Sequence, residues 1–259
     1  CHGRLGQPRD LCPANPVTRY TLTIHNLSPV TDSVSTLPTP QTPSTPTARL
    51  ILKRGKEESL MRFHPWVFSG AIYRMEGSPA EGDLVDVYTS ERQFIARGHY
   101  QIGSITVRIL SFAEEAIDQR WWNARIRAAY RMREALGLAE NPQTTCYRLV
   151  HGEGDSLPGL VVDIYGRTAV IQCHSVGMYR SRKAIGEALR EVFGDRLTAL
   201  FDKSGGTLPY NAGLGAQDGY LWGEPAKTEN PVLENGCLFR VNWEQGQKTG
   251  FFIDQRENR

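Results

Sequence analysis

A stretch rich in serine, threonine and proline limits which part of this chain can fold. Residues 28–47 read SPVTDSVSTLPTPQTPSTPT, and fifteen of these twenty residues are Ser, Thr or Pro. So few apolar side chains cannot bury enough surface to offset the conformational entropy lost on ordering. We therefore expect residues 1–48 to form a disordered leader and the folded part to begin near Arg49.

The composition outside this stretch is ordinary for a globular protein. The 259 residues are 40% hydrophobic and 22% charged, with a net charge of +2, which by itself indicates neither a nucleic-acid nor a membrane partner. No run of 18 apolar residues or secretory signal occurs, so we expect no membrane association. The five cysteines are scattered and form no CxxC. We therefore expect no disulfide framework and no metal site, and a cytoplasmic location.

Alternating apolar residues predict a β-rich module over residues 49–113. The runs RLILK, LVDVY, QFIARGHY and ITVRIL are strand-like and are separated by turn residues. Basic and aromatic residues occur together in this module, an arrangement that suits RNA because phosphates pair with cations and splayed bases stack on rings. The candidate RNA contacts are Lys53, Arg54, His64, Trp66 and Arg97. An ordinary solvated surface remains the alternative.

An amphipathic helix is predicted to open a central α+β domain over residues 114–240. In DQRWWNARIRAAYRMREALG, Asp118 is positioned as the N-cap and Gly137 as the residue past the end. The expected apolar stripe is Trp122, Ile126, Ala129 and Leu136. Five arginines spread around the polar side, and they indicate either a solvated face or a surface for RNA. They are Arg120, Arg125, Arg127, Arg131 and Arg133.

The rest of the central domain reads as strands around one more helix. CYRLV, GLVVDIY, TAVIQCH and LTALFDKS are strand-like, and YRSRKAIGEALREVFG predicts a helix closed by Gly194. In PVLENGCLFRVNW, Asn235-Gly236 predicts a hairpin with a type I′ turn. Cys173, within AVIQCH, is interpreted as a small buried hydrophobe rather than a nucleophile.

Two loops contain residues that could carry chemistry. HGEGDSLPG places His151, Glu153 and Asp155 close together, which suits an acid–base pair or a metal but equally a solvated turn. Hydrolase chemistry at these three residues is the least favoured reading. KSGG, residues 203–206, could cradle a phosphate, yet it lacks the P-loop spacing and is more typical of a plain turn.

Polar residues crowd the glycine-bounded segment GQKTGFFIDQRENR. Bends at Gly246 and Gly250 would let polar side chains converge on a small polar ligand. Asp254 and Glu257 have the spacing of a capping box and predict the start of a helix. An ordinary strand and helix start remains the alternative to a ligand site.

Three of these motifs resemble one protein family. LKRGKEESLMRFHPWVFSGAI resembles the start of the PUA domain of the RlmI-like family of S-adenosylmethionine-dependent 23S ribosomal RNA cytosine-C5 methyltransferases. RLVHGEGDSLPGLVVDIYG resembles the family's central domain, and VNWEQGQKTGFFIDQRENR its entry into the methyltransferase domain. FDKSGGTLP departs from the Arg-Ser-Asp-like stretch of many relatives.

The resemblance implies a PUA-like barrel, an α+β central domain and a C-terminal Rossmann-like methyltransferase domain that is largely missing here. Residues 241–259 would be its first part, and the chain an inactive N-terminal portion. The family's catalytic cysteine, which would add to C6 of cytosine, has no match among these residues. By resemblance, the residues expected to line the S-adenosyl-L-methionine pocket are Lys248, Thr249, Gly250, Phe251, Gln255 and Arg256.

The resemblance also sets the expected partners. Ribosomal RNA is the expected partner, and a homodimer is an open expectation for the assembly. A stand-alone, non-catalytic RNA-binding module of PUA type is the alternative function.

Overall fold

The computed structural model describes residues 46, 48–209, 213–224 and 230–258. The predicted leader therefore lies outside the described residues, apart from Pro46 and Ala48. Ala48 is buried and opens the first strand, which therefore begins one residue before Arg49. Over the described residues, no helix is both long and apolar enough to cross a lipid bilayer.

The β-rich module is a single six-stranded sheet. Its order is β2-β6-β5-β4-β1-β3, in which β1 and β4 pair in parallel and the other neighbours are antiparallel. One face encloses a core that includes Leu50, Leu52, Val85 and Val107. The elements are β1 (Ala48–Leu52), the short helix α1 (Glu58–Met61), β2 (Trp66–Phe68), β3 (Ile72–Glu76), β4 (Leu84–Tyr88), β5 (Phe94–Tyr100) and β6 (Ile105–Ser111).

The central part is a five-stranded sheet in the order β11-β10-β9-β8-β7. Helix α3 links β9 to its parallel neighbour β10, and the remaining neighbours are antiparallel. A separate hairpin, β12 and β13, follows. The elements are α2 (Gln119–Ala135), β7 (Cys146–His151), β8 (Leu160–Tyr165), β9 (Thr168–Cys173), α3 (Val176–Phe193), β10 (Ala199–Asp202), β11 (Gly219–Trp222), β12 (Asn230–Glu234) and β13 (Cys237–Val241).

Helix α2 begins as the sequence predicts. The Asp118 carboxylate accepts a hydrogen bond from the Trp121 amide at 3.0 Å, which confirms the N-cap. Trp122, Ile126 and Ala129 are buried, as expected. The prediction for Leu136 is wrong: it lies just past the last helical turn, and 63% of it is exposed.

The prediction for Arg133 is also wrong, because its side chain is buried rather than on the solvated side of α2. Its guanidinium forms a two-pronged pair with the Asp155 carboxylate and donates to the Arg148 carbonyl. The sequence pattern could not foresee this partner, which lies 22 residues away.

The two faces of the central sheet are covered by different parts of the chain. Helices α2 and α3 cover one face, against side chains such as Val162, Ile164 and Ile171. The opposite face carries Tyr165 and Phe201, which pack against the C-terminal hairpin and the residues after it. At the hairpin turn, Asn235 has φ +51° and Gly236 has φ +80°, the backbone that the predicted type I′ turn requires.

The β-rich module contacts the central part through the other face of its own sheet. Four residues that are directly opposed across neighbouring strands share that face. They are Trp66 on β2, Arg108 on β6, His99 on β5 and Leu84 on β4. Leu84 belongs to the core beneath α2 and α3. Burial, and then the charges of Arg108 and Arg180, lower the pKa of His99 to about 3. The imidazole is therefore neutral at physiological pH.

Candidate functional site

The first candidate site is the C-terminal segment, residues 242–258, which is fixed to the central sheet by a buried carboxylate. Asp163 is fully buried and accepts two hydrogen bonds from Arg148, at 2.8 and 3.0 Å. The Thr249 hydroxyl donates to Asp163 Oδ2 at 2.5 Å. That hydroxyl has only one proton, so it accepts from the Tyr165 hydroxyl at 2.8 Å. Thr249 is thereby fixed on the sheet.

Two more side chains hold the backbone of this segment. Lys203 Nζ donates to the carbonyls of Trp243 and Gly246, and burial lowers the pKa of Lys203. Gln172 donates to the Lys248 carbonyl at 3.2 Å. The ammonium group of Lys203, in the KSGG turn, is therefore already hydrogen-bonded to backbone carbonyls. These bonds explain its position, and no bound phosphate is needed.

Glycine is required at both ends of the loop. A Cβ at Gly246 would lie 2.3 Å from the Asn242 carbonyl oxygen. Gly250 has φ +117°, and a Cβ there would lie 2.6 Å from the Trp243 Cα. The chain does turn at both glycines, and no larger residue fits either position without backbone movement.

The six residues predicted to line a cofactor pocket divide into two groups. Thr249 is fully buried, Phe251 packs on Phe239 with ring centroids 5.2 Å apart, and Gly250 is needed for the turn. Arg256 donates to the Cys146 carbonyl at 2.8 Å and pairs with Glu234. These four residues build the segment itself.

Lys248 and Gln255 form the second group, because their side chains are exposed. Lys248 Nζ lies 3.4 Å from an Asp254 carboxylate oxygen and 4.5 Å from the centroid of the Phe252 ring. Gln255 accepts from Asn258 at 2.9 Å. Both heads can reach an external ligand, since their present contacts are on the surface.

The predicted capping box at Asp254 and Glu257 is wrong. The chain forms 3-10 turns over Ile253–Asn258, with a kink at Gln255, where φ is −100° and ψ is +15°. The Asp254 carboxylate accepts from Lys248 and Gln255 side chains. The pattern predicted that the Asp254 side chain caps a helix, but this side chain binds Lys248 and Gln255 instead. No regular α-helix begins there.

The second candidate site is an aromatic patch, defined as His64, Trp66 and Phe68. The three ring centroids lie 5.7 to 6.2 Å from one another, and Phe68 is 47% exposed. Trp66 Nε1 donates to Glu153 at 3.0 Å, so a loop of the central part fixes one edge of the patch. Phe68 was missed from the sequence, although its place in alternation with Trp66 could have identified it.

The basic residues predicted to contact RNA differ in exposure. Lys53 and Arg54 are exposed, and Lys53 donates to the Gly70 carbonyl at 2.9 Å. Arg97 is only 7% exposed and forms a two-pronged pair with Asp86, at 2.7 and 3.1 Å, which raises the pKa of Arg97. A phosphate would have to displace Asp86 to reach this guanidinium.

The residues of HGEGDSLPG do not converge on a common point. Asp155 is held by Arg133 and accepts from the His151 amide, whereas Glu153 binds Trp66. Across the residues that the structure describes, no three His, Cys, Asp or Glu side chains form a group able to hold a metal ion. Cys173 is buried, and desolvation raises its pKa to about 12, which disfavours a nucleophilic thiolate.

Comparisons with known proteins cover most of the chain. Residues 50–112 match the family described as PUA-like domain. "Ribosomal RNA large subunit methyltransferase I" of Erwinia tasmaniensis is 37% identical over 215 residues, which are 82% of this chain and 53% of the relative. The protein of the same name from Klebsiella pneumoniae is 38% identical over 213 residues, 82% of this chain and 52% of the relative. The chain therefore spans about half the length of the curated relatives it matches.

Two solved structures share the fold. One is described as a putative SAM-dependent methyltransferase from Streptococcus mutans, with a TM-score of 0.67 and 23% identity, over 81% of this chain and 52% of that one. The other is described as a putative methyltransferase complexed with SAH, with a TM-score of 0.67 and 22% identity over the same shares. At these identities the likeness concerns the fold alone.

Proposed function

We propose that this chain, as a member of the RlmI-like family, is the RNA-docking portion of an S-adenosylmethionine-dependent methyltransferase that acts on ribosomal RNA. The reaction that fits the family resemblance is methyl transfer to C5 of a cytosine. A cytoplasmic location suits that substrate. By the family resemblance, the cysteine nucleophile of this reaction belongs to the methyltransferase domain. Among the described residues, Cys146 and Cys173 are buried, and Cys237 is exposed but has no matching motif.

The observation that carries the proposal is the aromatic patch on the PUA-like module. Rings that are partly exposed and fixed at their edges can stack with unpaired bases at little cost in side-chain entropy. Glu153 fixes Trp66 in this way, and the exposed Lys53 and Arg54 can pair with phosphates. Phosphate contacts would position the RNA without reading its sequence.

Stacking can be tested by truncating one ring. We expect Phe68→Ala to weaken binding of a 23S ribosomal RNA fragment by about 5- to 150-fold, because stacking on an aromatic side chain is worth about 1–3 kcal/mol per base. Fluorescence anisotropy with labelled RNA measures this change. Tyr73→Ala is the matched control, since Tyr73 is 73% exposed but lies on β3, at the opposite edge of the sheet from Phe68. Equal losses in the two variants would contradict the assignment.

The C-terminal segment supplies, in this proposal, one wall of the cofactor pocket. The Asp163 network fixes the backbone, so the heads of Lys248 and Gln255 stand at defined positions from which they can bind polar groups of S-adenosylmethionine. Thr249, Gly250, Phe251 and Arg256 act through the shape of the segment.

We expect the 259-residue polypeptide to show no saturable binding of labelled S-adenosylmethionine at micromolar concentrations. Lys248 and Gln255 lie on the surface, whereas small-molecule sites bury most of the ligand. Equilibrium dialysis measures the binding, with a full-length relative as the positive control. Saturation by the 259-residue chain at micromolar cofactor would show that the pocket is complete and would overturn this part of the proposal.

A further inference from the structure

Three exposed arginines form a line along the outer side of α2. Arg120, Arg127 and Arg131 are separated by seven and four residues, which places them within about 40° of one another around a helix with 3.6 residues per turn. Their Cα atoms are spaced about 10 and about 6 Å along the axis. We call these three residues the arginine stripe.

The stripe borders a shallow groove of about 420 Å³. Ala124 and Ala128 line it between the arginines, with Asn123 and Glu191 beside them, so no large apolar side chain fills the groove. Protein–protein interfaces usually have a hydrophobic centre with aromatic side chains. A groove lined with alanines and bordered by guanidinium groups instead suits a ligand that is polar and strongly negative.

Of the three guanidinium groups of the arginine stripe, one forms an ion pair among the described residues and two are available to a ligand. Arg127 pairs with Glu191 at 2.5 Å, on the surface. Within the described ranges, neither Arg120 nor Arg131 forms a salt bridge. The other two arginines of α2 are committed elsewhere: Arg125 lies over the Trp121 ring, 4.9 Å from its centroid, and Arg133 is buried against Asp155.

We propose that the arginine stripe is a second RNA contact, which binds backbone phosphates while the aromatic patch binds bases. This inference rests on the proposed function and assigns a further surface to the same substrate. Guanidinium groups are well suited to phosphates because of their fork of donors. The stripe has no aromatic ring, so its contribution is electrostatic and independent of base sequence. Glu191 is the acidic residue that lines the groove, and it pairs with Arg127, so the three arginines of the stripe outnumber it.

The test is the salt dependence of RNA affinity in the double variant Arg120→Gln with Arg131→Gln. Each phosphate contact on single-stranded RNA contributes about 0.7 to the slope of log Kobs against log salt. We therefore expect the slope to fall by about 1.4 in magnitude, and the affinity at low salt to fall with it. The fold should be unaffected, because neither side chain has a salt bridge within the described ranges.

A control variant with the same loss of charge separates a local contact from a general charge effect. Arg74→Gln with Arg190→Gln removes two exposed arginines that are paired with Glu76 and Glu187. Its slope should match that of the wild type, and Arg120→Lys with Arg131→Lys should retain most of the slope. If the two glutamine variants gave equal slopes, the proposal that the arginine stripe binds RNA would be wrong, and the Phe68→Ala result would still stand. Complete absence of RNA binding would overturn the stripe and the proposed function together.

Discussion

Replacing Asp163 with alanine is expected to destabilise the chain by about 3–5 kcal/mol, because it leaves a partly buried guanidinium and a buried hydroxyl without their acceptor. Arg148 and Thr249 both donate to this carboxylate, which has no exposed surface. The loss should detach the C-terminal segment first, since Thr249 is its innermost anchor. Urea denaturation measures the free energy of unfolding, and hydrogen exchange reports on the amides of residues 242–258.

The matched control for Asp163 is Glu187→Gln. Glu187 forms an exposed pair with Arg190 at 3.1 Å on α3, and such pairs contribute about 0.3–0.5 kcal/mol. The control should leave both the unfolding free energy and the exchange pattern nearly unchanged. If Asp163→Ala also cost less than about 1 kcal/mol, the segment would be held by its apolar contacts rather than by the polar network.

Replacing Gly177 with alanine is expected to separate the PUA-like module from α3. A Cβ at this position would lie 2.1 Å from Cγ of His99 and 2.5 Å from its Cβ. His99 is 2% exposed, so its ring has no free space into which to move. Overpacking of a tight contact costs about 1–3 kcal/mol and occasionally more. We expect the upper end of that range in urea denaturation, together with faster proteolysis between residues 111 and 119.

A second substitution tests whether the clash with His99 is the cause. The double variant Gly177→Ala with His99→Ala should be more stable than the sum of the two single effects predicts, by about 1–3 kcal/mol. Gly70→Ala is the control, since no atom lies within 4 Å of a Cβ built there. Strict additivity of the two single effects would show that the junction does not depend on this contact.

Features set by neighbouring residues could be predicted from the sequence. The cap at Asp118 and the turn at Asn235-Gly236 depend on contacts within a few residues, and both were confirmed. The buried stripe of α2 followed from helical periodicity up to Ala129. In each case the physical cause lies in the pattern itself, so no knowledge of the fold was needed.

Features set by distant partners could not be predicted in this way. Arg97 has the sequence context of an RNA contact, but strand pairing places it opposite Asp86. Arg133 and Lys203 likewise found acceptors that are remote in the chain. The residues of the C-terminal segment carried no signal that Thr249 would be buried, because its acceptor Asp163 lies 86 residues earlier.

The central claim is that this chain docks RNA through the aromatic patch of its PUA-like module. The most direct measurement is ultraviolet crosslinking of the wild-type chain to a 23S ribosomal RNA fragment, followed by mass spectrometry of the crosslinked peptides. Fragmentation of the crosslinked peptides is needed to assign each crosslink to a residue, because residues 63–74 contain no internal Lys or Arg. We expect the crosslinks to map to His64, Trp66 and Phe68. Crosslinks that map to Tyr73 rather than to the aromatic patch, or that are spread evenly over the surface, would contradict the central claim.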